Sequence, residues 1–238
     1  MASLLVVDLG RRPYGEVLAL QRAVAQRRIA GEIGEDVLLL VEHPPVVTLG
    51  RGARAEHLLA SAEALRERGI ECWEVERGGD VTFHGPGQLV GYPVLDLARH
   101  RQDLHWYLRQ VEEALIRALR RWEIPAGRSA GYTGVWTRGR KIASIGVHAR
   151  TWVTWHGFAL NVATDLSYFD LIVPCGIAGK RATSLEQLLG RRVEINEAAP
   201  RIAAHLGEIF GVVPCACGRD DLDKMLRTYE DQTALAAV

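Results

Sequence analysis

Short apolar runs closed by turn residues alternate along this chain with longer stretches whose apolar residues recur at helical spacing. Ser3 to Asp8 and Asp36 to Glu42 are such runs and read as strands; between them Pro13 opens a stretch with Val17, Leu20, Val24 and Ile29 on one helical face. Ala55 to Arg68 and Leu104 to Trp122 also repeat at helical spacing, the second placing Leu108, Val111, Leu115, Ala118 and Leu119 on one stripe, so both are expected to pack on a sheet. From Tyr132 to Thr164 the period becomes two, with Trp, Val, Thr and Ile frequent, and Arg138-Gly139 supplies a hairpin turn. Helical spacing resumes over Asn196 to Phe210 and Asp220 to Tyr229, around a strand-like stretch from Gly211 to Pro214.

Hairpins mixed with helices predict an α+β fold, with a mixed, largely antiparallel sheet flanked by helices, rather than a doubly wound parallel sheet. No repeat of roughly 20 to 50 residues and no Ser/Pro/Gly linker divides the chain. The expectation is a single domain, residues 1–190, carrying a C-terminal helical appendage, 191–238, packed on it.

Composition removes several classes. With 238 residues, 48% hydrophobic and 24% charged, the chain can bury a core, and no apolar run approaches the roughly 18 to 20 residues of a membrane span. The start lacks the basic n-region of a secretory signal, so a cytoplasmic protein is expected. The 29 basic and 29 acidic residues cancel, which argues against nucleic-acid or membrane binding. Two details change that picture. Only Lys141, Lys180 and Lys224 among the cations are lysines, and only an amine sheds its proton near neutral pH. Ile124 to Thr164 contains no carboxylate but holds Arg128, Arg138, Arg140, Lys141 and Arg150.

Four cysteines are too few for a disulfide framework. Cys72, in the strand-like run Ile70 to Val75, is expected as a small buried hydrophobe. Cys215 and Cys217 form a Cys-x-Cys that completes no four-ligand zinc spacing, so no metal is expected. Cys175 differs. Pro174 fixes the incoming backbone and Gly176 lets the chain turn and expose its amides, which is how a loop presents a nucleophile. Lys141 lies on the strand-like Arg140 to Val147, where simple alternation puts it on a face with Ala143, Ile145 and Val147; desolvation there would draw its amine toward exchange with a thiol. The Gly-rich run Arg77-Gly78-Gly79-Asp80-Val81-Thr82-Phe83-His84-Gly-Pro-Gly-Gln88 lets backbone approach a ligand closely, without phosphate-loop spacing. In His156 to Asn161, alternation puts Gly157, Ala159 and Asn161 opposite Phe158 and Leu160. With Ser144 and Gly146 those small residues would leave a slot against the sheet that suits an alkyl chain.

The segments RGGDVTFHGPGQLVGYPVLDL (77 to 97), GRKIASIGV (139 to 147), WVTWHGFALNV (152 to 162) and VPCGI (173 to 177), with EHPPVVTLGR (42 to 51) upstream, closely resemble the lipoyl(octanoyl) transferases. The resemblance runs from about Glu42 to Leu189. It implies the biotin/lipoate protein ligase fold, related to class II synthetase cores, with residues 1–190 as the catalytic acyltransferase domain and no cofactor. It implies octanoyl transfer from acyl carrier protein to a lysine of lipoyl domains, those of 2-oxoacid dehydrogenases and of the glycine cleavage H protein. By position it puts the thioester-forming cysteine on Cys175, its activating lysine on Lys141, and acyl binding on Arg77 to His84, Ser144, Ile145 and Gly146, and Gly157, Phe158 and Ala159.

Thioester in and amide out requires a nucleophile that also leaves well, which a Cys thiolate does. Backbone amides near Gly176 and at Gly78-Gly79 are the expected oxyanion donors. Arg138, Arg140 and Arg150 are expected to steer acidic protein partners. Two other readings stand beside this one: an ATP-dependent lipoate or biotin-type ligase, which needs no loop cysteine, and a non-catalytic module that binds acyl chains or lipoyl domains.

Overall fold

A computed structural model describes residues 2–173 and 181–236, with the side chains of the last helix as far as Arg227. Its first strand, β1 (Ser3–Arg11), leads through Pro13 into α1 (Tyr14–Ile29), the fixed φ of proline starting the helix without a side-chain cap. β2 (Asp36–Glu42) follows, then β3 (Val46–Leu49). The expected helix from Ala55 to Arg68 is two pieces: a 3₁₀ turn at Ala55–His57 and α2 (Ala62–Glu67). The chain breaks between them because Leu58 bridges to Ile172 and the Ser61 hydroxyl accepts the Ala64 N–H, capping a new helix.

β4 (Glu71–Glu74), β5 (Val81–His84) and β6 (Gln88–Val94) precede α3 (Leu104–Arg120). The Asp103 carboxylate caps α3 through the Trp106 N–H, and the helix buries Val111, Leu115, Ala118 and Leu119 as its stripe requires. The meander is β7 (Gly127–Ser129), β8 (Tyr132–Thr137), β9 (Arg140–Arg150) and β10 (Val153–Asn161). β8 and β9 turn at Arg138 and Gly139, both at positive φ, as a two-residue hairpin of matching twist requires. α4 (Leu185–Leu189), α5 (Ile195–Phe210), β11 (Val213–Ala216) and α6 (Arg219–Ala236) complete the chain.

Eight strands form the main sheet in the order β11-β1-β2-β6-β10-β9-β8-β7. β1 is parallel to both β2 and β11, and every other pairing is antiparallel, which is the mixed, largely antiparallel α+β arrangement expected. α3 and α5 cover one face, over Ile142, Phe158 and Leu160; α1 and the start of α6 cover the other, over Leu39, Val90 and Tyr92. A second sheet, β4-β3-β5, is marked in the local sequence pattern only at β4, within the strand-like run Ile70 to Val75. It carries the Gly-rich run at its β4–β5 connection and sets it over the α1 face of the main sheet. Cys72, expected buried, is exposed because β4 is an edge strand with every residue at the surface.

Candidate functional site

The site lies between the two sheets. Arg77, 7% exposed, donates to the Thr48 carbonyl (2.7 Å) and hydroxyl (2.9 Å) on β3, which fixes the start of the loop. Gly78 N–H donates to the Val147 carbonyl on β9 (2.8 Å), and the carbonyls of Arg77 and Gly79 accept from Arg51 and Gly52 (both 3.0 Å). The loop is therefore stitched down on both sides. One expectation changes with it: the Gly78 amide is spent on Val147 and is not an oxyanion donor. Asp80 accepts the Val81 N–H and pairs with His57, whose Nδ1 is 2.5 Å from its carboxylate.

Ser144 and Gly146 of β9, Gly157 and Ala159 of β10 and Val90 of β6 floor a small cavity of about 40 Å³. Gly79 to Thr82 overhang it, and Tyr14, Tyr92 and His84 wall its α1 side. Gly146 is bare because the Gly78 carbonyl would stand 2.8 Å from any β-carbon there; Gly157 is bare because the Gly91 carbonyl and the Pro93 ring crowd it. These small residues let backbone pack closely, and the slot lies around them instead of above them. Ile145 and Phe158 border the cavity but bury their side chains in the core beneath α3 and α5. Phe83 does not line it: its ring stacks on Tyr168 (centroids 4.5 Å apart) and meets Phe169 edge-on.

His84 donates from Nδ1 to the Gln88 side-chain carbonyl (2.8 Å), Gln88 donates to Asn161 (2.9 Å), and Asn161 donates to the Thr183 carbonyl (3.0 Å). Burial, reinforced by neighbouring His43, depresses the His84 imidazole to about 3, and burial likewise takes His43 to about 4. Both are neutral near pH 7, so His84 shapes the site as a hydrogen-bond partner.

Lys141 is where the structure departs most from simple alternation. Val135 pairs with Ala143, but the next residue, Trp136, pairs with Lys141, so β9 carries one extra residue in a bulge. Ile142 and Ala143 both enter the core beneath α3, and Lys141 moves to the opposite face, that of Ser144 and Gly146. The expected face with Ala143, Ile145 and Val147 is thereby overturned. Lys141 is 8% exposed, and its Nζ lies 5.5 Å from the Trp136 ring centroid. Its N–H and carbonyl both pair with the segment Arg181 to Thr183: Lys141 N–H donates to the Arg181 carbonyl (3.0 Å), and Thr183 N–H donates to the Lys141 carbonyl (2.9 Å). Cys175 itself lies in residues 174–180, outside the described residues. On the upstream side, Val173 N–H donates to the His57 carbonyl (2.7 Å).

Glu76, not singled out by the sequence, ties these parts together. Arg22 of α1 clasps its carboxylate with two hydrogen bonds (2.9 and 2.7 Å), and Trp155 donates to it (2.8 Å). The His156 imidazole beside it, with Arg22 and Trp155, holds the Glu76 carboxyl far below the usual carboxylate range against the opposing effect of burial. Tyr14, Tyr92 and Val90 were also missed as lining residues. They sit on α1 and β6, and no local pattern marks them as sharing a cavity with β9. Cys215 and Cys217 lie on and just past β11, at the far edge of the main sheet.

This architecture is that of the lipoate and biotin protein ligases. Lipoate-protein ligase A bound with ATP superposes with a TM-score of 0.76 at 18% identity, covering 97% of this chain and 94% of that one. Biotin protein ligase from Aquifex aeolicus gives 0.50 at 14% identity, with 89% and 70% covered. Residues 13–207 match the lipoyl protein ligase A/B catalytic domain. The octanoyltransferase of Gloeobacter violaceus is 48% identical over 212 residues, covering 89% of this chain and 92% of its own; that of Koribacter versatilis is 47% identical over 236 residues, covering 97% and 93%. The chain belongs to the octanoyltransferase family and is an acyltransferase. Among the described residues no helix is long and apolar enough to cross a membrane.

Proposed function

We propose that this protein transfers an octanoyl group from acyl carrier protein to a lysine of lipoyl domains through a thioester on Cys175. The observation that carries the reading is the placement of Lys141: buried, turned by the bulge onto the cavity face, and backbone-paired with Arg181 and Thr183, a few residues past Cys175 in the sequence. In the first half-reaction the Lys141 amine takes the Cys175 thiol proton and the thiolate attacks the carrier thioester. The new C–S bond forms as the carrier thiolate leaves with the proton. In the second half the acceptor lysine attacks, the C–N bond forms, the C–S bond breaks, and Lys141 passes the amine's proton to the departing Cys175 thiolate. The acyl chain enters the cavity over Ser144 and Ala159, beneath Gly79 to Thr82, and widens its about 40 Å³ as it seats. The acceptors are the lipoyl domains of 2-oxoacid dehydrogenases and the glycine cleavage H protein, and the compartment is the cytoplasm. Residues 1–190 carry the catalysis, and 191–238 pack on the same domain, with α5 in its core and β11 as the edge strand of its main sheet.

The test is transfer from octanoyl carrier protein to an apo lipoyl domain with no nucleotide present. Acylation of the domain under those conditions is the expected result. Acylation only with free octanoate, ATP and Mg²⁺ would make the protein a ligase, and tight octanoate binding with no transfer would make it a binding module.

A further inference from the structure

We infer that Tyr14 and Tyr92 set the length of acyl chain the enzyme accepts, by closing the end of the cavity away from Lys141. The inference rests on the cavity being the acyl site. Lys141 lies on β9 and Tyr92 on β6 with β10 between them, two inter-strand steps of about 5 Å each, and Tyr92 stands in the row of Gly157 and Gly146, so the path from the amine to the ring also runs along the strands. Lys141 stands outside the cavity lining, and a chain entering from its side over Ser144, Ala159 and Val90 meets the two tyrosine rings at its tip.

Neither ring is free to give way. The Tyr92 hydroxyl is held at 2.8 Å by Nε2 of His43, whose Nδ1 is 2.8 Å from the Arg12 carbonyl. Tyr14, 2% exposed, sits in the first turn of α1 with its ring against those of His43 (centroids 5.2 Å apart) and His84 (6.1 Å). Past this wall the surroundings change. Tyr14 packs on Leu18, Val46 and Val75, so removing its ring opens space continuous with the cavity and walled on that side by apolar side chains that can take hydrocarbon. A rigid wall backed by apolar packing discriminates by methylene count, and one methylene in such a pocket is worth about 10-fold or more.

The experiment is a competition in one tube between C6, C8, C10 and C12 acyl thioesters on the same carrier, with apo lipoyl domain as acceptor and product chain length read by mass. Such a ratio does not depend on how much of a variant is folded. Tyr14→Ala is expected to raise the C12:C8 product ratio at least 10-fold over wild type, with Tyr92→Leu giving a smaller shift the same way and Tyr14→Trp favouring C6. An unchanged ratio in Tyr14→Ala and Tyr92→Leu overturns the inference; should either variant give no product, Tyr14→Leu is read by the same criterion. Wild-type protein that transfers no chain of any length would instead overturn the reading of the cavity as the acyl site.

Discussion

The stem of Lys141 occupies the place where a side chain on Gly134 would stand: a β-carbon there would lie 2.6 Å from Lys141 Cε and 3.3 Å from Nζ. Gly134 also has φ +126°, a backbone region that costs an L-residue about 1 to 3 kcal/mol. Gly134→Ala therefore displaces the amine and strains β8 together. It should lower kcat by about 10-fold or more and reduce Tm, as steady-state kinetics and thermal melts would register. Full kcat in this variant would show that the amine's position is not critical.

Lys141→Arg keeps a cation on the cavity face but removes the amine that exchanges a proton. A loss of about 100-fold or more in kcat is expected, the scale on which general acid–base groups act. Near-wild-type turnover would leave Lys141 as a simple counter-charge.

The buried imidazoles make stability depend on pH with a definite sign. His84 titrates at about 3 and His43 at about 4 in the fold, against about 6.5 unfolded. Between those values the unfolded chain binds more protons than the native one, so stability is full above about pH 6.5 and is lost as pH falls toward 3. Urea midpoints should drop steadily from pH 7 to pH 4.5, and His84→Gln should flatten that dependence. A midpoint rising over that interval would contradict the burial of neutral histidines.

Glu76→Gln exchanges a charged acceptor for a neutral one at the junction of Arg22, Trp155 and His156. The cost should be about 1 to 3 kcal/mol, and since Glu76 precedes the Arg77 loop, KM for the acyl donor should rise more than kcat falls. A kcat loss with constant KM would place the effect elsewhere.

The basic segment does not act as one patch. Arg128 is committed to Glu112 and Glu113, while Arg140 and Arg150 lie at opposite ends of β9, about 30 Å apart at strand rise once the bulged residue is left out. Arg138 and Arg140 share the end that carries Lys141. Charge reversal there should reduce kcat/KM for a carrier-bound donor several-fold and weaken its salt dependence, whereas Arg150→Glu should change it little. Equal effects at both ends would argue for diffuse steering.

What the sequence made legible was local. The stripe of α3, the Arg138-Gly139 turn and the glycine-dense loop at 77–80 each depend on neighbours a few positions apart, and the structure has them in place. The bulge in β9 depends on how β8 pairs with it, and one extra residue there moved Lys141 to the other face. The Ala55 to Arg68 stretch was interrupted by a partner at Ile172, far along the chain. Tyr14 and Tyr92 carry no local mark of a cavity wall, because α1 and β6 meet there only through the sheet order.

The most direct test is the intact mass of the protein after incubation with octanoyl carrier protein alone. The thioester mechanism predicts a single octanoyl adduct that maps to Cys175, is absent in Cys175→Ala, and disappears when an apo lipoyl domain is added as acceptor. An adduct that persists in Cys175→Ala, or transfer to the domain by that variant, would contradict it.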